Sequence, residues 1–251
     1  EVDDQSRIVG VTQCLLDQYF NVPAGDGWQG VYVSPDGDGD GQSPFRPIAL
    51  RDVAAAEKLY VSLMPGRYED LETLVAKADV AIRIVSPCAG DHVIGVPEAG
   101  LHLVGPREIV LRGLSFDIAG TNGVNLANDV RAWVHESRFK GASDQVIGLR
   151  VNGGDRLWLS QVKFEGLGIG AMVQAREVRL DDVWFDGQAQ GALVAMGDAR
   201  YERNRGPAQS LVGLVGDGLK VDFGGEGAFG LSFGLVGASL RHVELSAYEG
   251  E

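Results

Sequence analysis

Residues 157–164 read LWLSQVKF, and their alternation decides the fold. Leu157 and Leu159 fall on one side of an extended chain, Trp158 and Ser160 on the other. After a bend, Val162 and Phe164 return to the apolar side. Period-two alternation means strand, and the apolar set marks the buried face. The pattern recurs in IVLRGLSF (109–116), AWVHESRF (132–139), VRLDDVWF (178–185) and LVGDGLKV (214–221), with a weaker copy in SLRHVEL (239–245). Measured between the last apolar residues (Phe116, Phe139, Phe164, Phe185, Val221, Leu245), the intervals are 23, 25, 21, 36 and 24 residues. The long interval carries an extra segment, ARYERNRGPAQS (199–210). A helical repeat would space its apolar residues by three and four, which these copies do not.

Between the copies lies a further short apolar run, such as VIGLRV (146–151) or ALVAM (192–196). Each repeat therefore holds about three strands. One such coil cannot bury its apolar side, but stacked coils build a continuous core. The expected fold is all-β: a right-handed, single-stranded parallel β-helix.

The first part of the chain reads as a cap. In RIVGVTQCLLDQYF (7–20), Ile8, Val11, Leu15, Leu16 and Tyr19 have helical spacing. Val31 to Val33 make a strand. PIALRDVAAAEKL (47–59) reads as a helix beginning at a proline, and YVSLMPGRY (60–68) as a strand closed by a Pro-Gly turn. This divides the chain into a short helical N-terminal cap with its connecting segments, residues 1–60, and coils, residues 61–251. Nothing comparable follows the last copy, which leads us to expect a further domain or a homo-oligomeric partner at that end.

The 251 residues carry a net charge of −13, which disfavours nucleic acid as a partner. No apolar run reaches the length of a membrane span. Cys14 and Cys88 are compatible with one disulfide or with two buried thiols. The 36 glycines fall at the ends of short apolar runs, where turns are expected.

The order YVSPDGDGDG (32–41), SPF (43–45), AAAEKL (54–59) and YVSLMPGRY (60–68), followed by coils, resembles the opening of β-helix proteins of the pectate-lyase-like superfamily. That resemblance implies the fold, an extracellular, cell-surface or periplasmic location, and a saccharide groove on an outward sheet. The superfamily's catalytic motifs do not recur. WVHESRF stands where pectate lyases carry a W-I-D-H-type element, and the bare pair Asp181-Asp182 is the nearest approach to the polygalacturonase motifs.

Two features carry candidate chemistry. In SPDGDGDGQSPF (34–45), Asp36, Asp38 and Asp40 are spaced like the opening of an EF-hand loop. However, the twelfth position, where a bidentate glutamate belongs, is Pro47. The stretch is then either a solvated turn or a calcium clip of another kind, so calcium is an optional cofactor.

The second feature is the outward face of the coils. Six residues before each anchor stand Val110, Trp133, Trp158 and Arg179. Four before stand Arg112, His135, Ser160 and Asp181; eight before stand Glu108, Arg131, Arg156 and Glu177. Stacking brings these into columns with neighbours about 4.8 Å apart. Trp133 and Trp158 offer faces to sugar rings, and Arg131, Arg156 and Arg179 offer donors to carboxylates or hydroxyls. His135, Asp181 and Glu177 are the candidates for acid–base work. The insertion adds Arg200, Tyr201, Arg203 and Arg205, a local basic spot.

The leading expectation is a carbohydrate-binding β-helix domain with a polysaccharide or glycan partner, with or without processing by a lyase or glycoside-hydrolase activity. The alternative is a structural or adhesive module of a larger surface or phage-fibre protein.

Overall fold

The computed structural model describes residues 26–86, 92–127 and 129–196, and in the last turns the strand backbones 213–217, 220–223, 229–234, 238–241 and 244–247. The expected N-terminal helix 7–20, Cys14, Cys88 and the insertion 199–210 lie outside these residues.

The fold is a parallel β-solenoid of about six turns. Three columns of parallel strands run along it. The first stacks β1 (Trp28–Ser34), β3 (Ala56–Leu63), β5 (Ala78–Val85), β8 (Glu108–Arg112), β11 (Arg131–His135), β12 (Arg138–Gln188), β14 (Gly213–Asp217) and β17 (Ala238–Arg241). The second stacks β4 (Gly66–Tyr68), β6 (His92–Val96), β9 (Ser115–Ile118), β12, β15 (Lys220–Phe223) and β18 (Glu244–Ala247). The third stacks β7 (Leu101–Leu103), β10 (Asn122–Ala127), β12, β13 (Gly191–Met196) and β16 (Phe229–Gly234). The long β12 enters all three columns because pairing is unbroken where the chain turns its corners.

The anchor residues of the repeat form the core. Phe116, Phe139, Phe164 and Phe185 are fully buried and stack in sequence, with ring centroids 4.7, 4.9 and 4.9 Å apart. Near-parallel stacking at the coil spacing adds to the burial of four large side chains. Ile109, Leu111, Ala132, Val134, Leu157, Leu159, Val178 and Leu180 are likewise inaccessible. The inward half of the alternation therefore holds at every one of these positions.

The bend between the first two columns has its own repeat. Gly113, Glu136, Gln161 and Asp182, each three before an anchor, all have positive φ, at 71°, 48°, 54° and 53°. One left-handed residue turns the chain, and the ladder continues through it. Gly113 N donates to His135 O at 3.0 Å and Glu136 N to Ser160 O at 2.9 Å.

The expected helix over 47–59 is not formed. Residues 48–49 make β2 (Ile48–Ala49), Leu50–Asp52 make a single 3-10 turn, and β3 begins at Ala56. Local propensity for helix in AAAEKL is outweighed by the burial of Leu59, Val61 and Leu63 in the first column, all with no exposure. The stack already starts at β1, so the expected boundary at residue 60 falls inside β3. The helix described in this region is α1 (Leu71–Val75). Its Leu71, Leu74 and Val75 are buried, and Asp70 caps it by accepting from Thr73 N at 3.2 Å.

Candidate ligand-binding face

The outward half of the alternation places the candidate residues side by side. Parallel register pairs Arg131 with Arg156, Trp133 with Trp158 and His135 with Ser160, and on the other side pairs Trp133 with Val110 and His135 with Arg112. Glu177, Arg179 and Asp181 pair in turn with Gly213, Val215 and Asp217.

Both tryptophans are half-buried rather than free. The Trp158 indole N–H donates to Asp181 Oδ2 at 2.8 Å, the Arg179 guanidinium lies 4.5 Å over the ring, and the His135 ring meets its edge at 5.7 Å. Arg179 also reaches Asp181 at 2.8 Å. Trp158 is therefore held in one orientation, with one face occupied by a cation. Trp133 has no ring contact among the described residues.

The charged candidates are tied into ladders between coils. Arg112 pairs with Glu136 at 2.9 Å, Arg131 with Asp155 at 2.9 Å, and Arg156 with Glu177 at 2.9 Å. The Arg112–Glu136 and Arg156–Glu177 pairs are exposed, and each is worth about 0–1 kcal/mol; in the Arg131–Asp155 pair the carboxylate is half-buried. His135 is held below the ordinary histidine range by its burial and by the Arg112 charge. Glu136 and Asp181 pull it the other way.

The geometry brings His135 and Asp181 to the same Trp158 ring and keeps Glu177 apart from Asp181. Glu177 and Asp181 lie four residues apart on one strand, roughly 13 Å, beyond the spacing of paired glycosidase carboxylates. His135 and Asp181 flank Ser160 from the two adjoining coils. That order puts serine between histidine and aspartate, whereas a triad needs the base in the middle.

At the start of the same strands, where the preceding corner enters the column, lies a half-open groove of about 650 Å³. Its polar lining is Arg107, Glu108, Asp129, Arg131, Asp155 and Arg176, with Val80 at one end. Asp155 takes two guanidinium groups, Arg131 at 2.9 Å and Arg176 at 3.0 Å. Of these residues, column counting from the anchors had singled out Glu108 and Arg131. Counting one place further, nine before each anchor, gives Arg107, Val130, Asp155 and Arg176.

The DGDGDG stretch runs antiparallel to residues 46–48. Gly39 N donates to Pro47 O at 2.8 Å and Gly41 N to Arg46 O at 2.9 Å. A Cβ at Gly37 or Gly39 would overlap the backbone of Ile48 or Arg46. The glycines thus face the neighbouring strand, and Asp36, Asp38 and Asp40 project to solvent on the other side. Asp40 accepts from Gln42 N at 3.1 Å and pairs with Arg46 at 3.1 Å. Among the described residues, no group of three or more histidine, cysteine, aspartate or glutamate side chains is placed to hold a metal ion. No described helix is long and apolar enough to cross a membrane.

Compared with known protein families, with curated proteins and with solved structures, the chain gives no match.

Proposed function

We propose that the chain is an extracellular or cell-surface domain that binds polysaccharide along the outward face of its first strand column, without cleaving it. The observation that carries this reading is the pairing of Trp133 with Trp158 on adjacent coils, next to the arginine-lined groove. Two aromatic side chains at the coil spacing, one of them fixed, suit a ligand that repeats along the solenoid axis. The Asp181 and Arg179 contacts fix the Trp158 ring in advance, which lowers the entropy lost on binding. Binding is favoured over turnover because Glu177 is neutralised by Arg156, and Asp181 by Arg179 and the Trp158 N–H.

The test is a binding screen against neutral and acidic polysaccharides, with and without calcium, on the native chain and the Trp133→Ala/Trp158→Ala double variant. At least a tenfold loss of affinity is expected in the double variant, on the order of 1.4 kcal/mol or more. Unchanged binding would remove the tryptophan face from the site. Dependence on calcium would bring Asp36, Asp38 and Asp40 into it.

The ion-pair ladders support a second reading, a structural or adhesive module. Arg112–Glu136, Arg131–Asp155 and Arg156–Glu177 join one coil to the next whether or not a ligand is present. Silence across the screen, together with a defined oligomer in solution, would favour it.

A further inference from the structure

The groove beside the tryptophan face has a composition that selects among glycans. It spans successive coils from Val80 through Arg107 and Arg131 to Arg176, on the order of 19 Å at the spacing of stacked strands. That is the length of an oligosaccharide rather than of a single sugar. Its three arginines face three carboxylates, so its formal charge is zero. Arg131 and Arg176 share Asp155, which is only 26% exposed, and Glu108 lies 3.6 Å from Arg83. Arg107 is exposed and its main chain is fixed: its N–H donates to Val80 O at 2.9 Å and its carbonyl accepts from Arg131 at 2.8 Å. No ion pair is found for its side chain among the described residues.

An incoming carboxylate would meet Arg131 and Arg176 already engaged by Asp155, and would reach Arg107 only next to Glu108 and Asp129, on a chain of charge −13. A hydroxyl meets something different. Each guanidinium has five N–H donors and each carboxylate about four acceptor positions, and one ion pair uses only part of them. A row of such pairs therefore offers donors and acceptors side by side, which matches groups that both give and take a hydrogen bond. Val80, 40% exposed, supplies an apolar contact at one end.

We infer that this groove is a subsite for uncharged, hydroxyl-rich sugar residues, and that the polysaccharide bound here is neutral rather than uronate-rich. The inference rests on the reading that the outward face binds polysaccharide. It adds the class of sugar and four residues outside the tryptophan strip: Arg107, Asp129, Asp155 and Arg176.

The test is calorimetric titration of the whole chain with a neutral glucan hexasaccharide and with an oligogalacturonate of equal length, at low and high sodium chloride. The neutral chain should bind more tightly, and its affinity should change by less than about twofold with salt, since no net charge is neutralised. Arg107→Gln should weaken it by about tenfold without lowering thermal stability, because that side chain forms no ion pair. Asp155→Asn releases Arg131 and Arg176, so it should weaken the neutral ligand and strengthen the oligogalacturonate. A native chain that prefers oligogalacturonate with steep salt dependence would overturn the neutral class and leave polysaccharide binding standing. Neutral binding untouched by both variants would overturn the groove as the subsite. No binding of either ligand would overturn this inference and the binding function together.

Discussion

His135 stands where the aromatic part of the outward face meets its charged part. It borders Arg112 in one coil and Ser160 in the next, with its ring against Trp158. Burial and Arg112 keep it neutral to lower pH than an unfolded histidine. The consequence for stability follows from proton counting. Above about pH 7.5 both states are neutral and the residue has no effect. As the pH falls through about 6.5, the unfolded chain takes up a proton that the folded chain refuses. Stability therefore drops, by at most about 1.4 kcal/mol per pH unit, until the folded residue titrates as well. His135→Asn should flatten this part of the profile. Urea midpoints for both chains between pH 5 and 8 would check it, and parallel profiles would refute it. At this scale the sequence was legible wherever alternation applied. Period two assigned Trp133, Trp158, Arg131, Arg156 and Arg179 to the outward face, because stacking leaves each strand residue only two directions. It did not reveal that Trp158 would be clasped by Asp181 and Arg179, since rotamers and cross-coil contacts are chosen by neighbours 21 to 23 residues away.

At the scale of the element, the strands were legible and the connections were less so. The error at 47–59 has a physical source: AAAEKL has strong helix formers, while Leu59, Val61 and Leu63 have strand alternation, and a long-range sheet decided between them. DGDGDG follows the same logic in reverse. Its period of two resembles a metal loop, and the structure adds a backbone reason for that period: Gly37 and Gly39 are pressed against the backbone of 46–48. The corner column offers a direct test. Gly113, Glu136, Gln161 and Asp182 all occupy left-handed backbone, which costs a non-glycine residue roughly 1–2 kcal/mol. Gln161 is the cleanest position, being exposed, whereas Glu136 also pairs with Arg112. Gln161→Gly should raise the unfolding midpoint by an amount equivalent to about 1 kcal/mol. The opposite change, Gly113→Ala, should lower it, because the added Cβ would also overlap the Ser86 carbonyl. Thermal or urea denaturation of both variants would show whether the corner conformation is a backbone constraint or is offset by local contacts.

At the scale of the whole molecule, each coil touches only the coils beside it, so stability is close to a sum of coils and their interfaces. The phenylalanine stack is where that one-dimensional character can be measured. Phe139 lies between Phe116 and Phe164, with centroids at 4.7 and 4.9 Å, and is wholly buried. Phe139→Ala should remove about 3–5 kcal/mol of local packing. The loss should be spatially limited. Amide exchange should speed up most in β8, β9 and β11 and in residues 156–164, the strands in its own coil and the two adjoining ones. β1 and β3, several coils away, should keep most of their protection, since the interfaces between them are untouched. Equal acceleration from β1 to β13 would mean that the solenoid opens as one cooperative unit. In that case the covered face of the first coils, where Tyr60 and Ser62 occupy outward positions and are nevertheless buried, would be coupled to the tryptophan strip through the whole stack. A graded pattern would mean that the strip and its groove depend on only a few coils, so ligand binding would tolerate damage at the N-terminal turns.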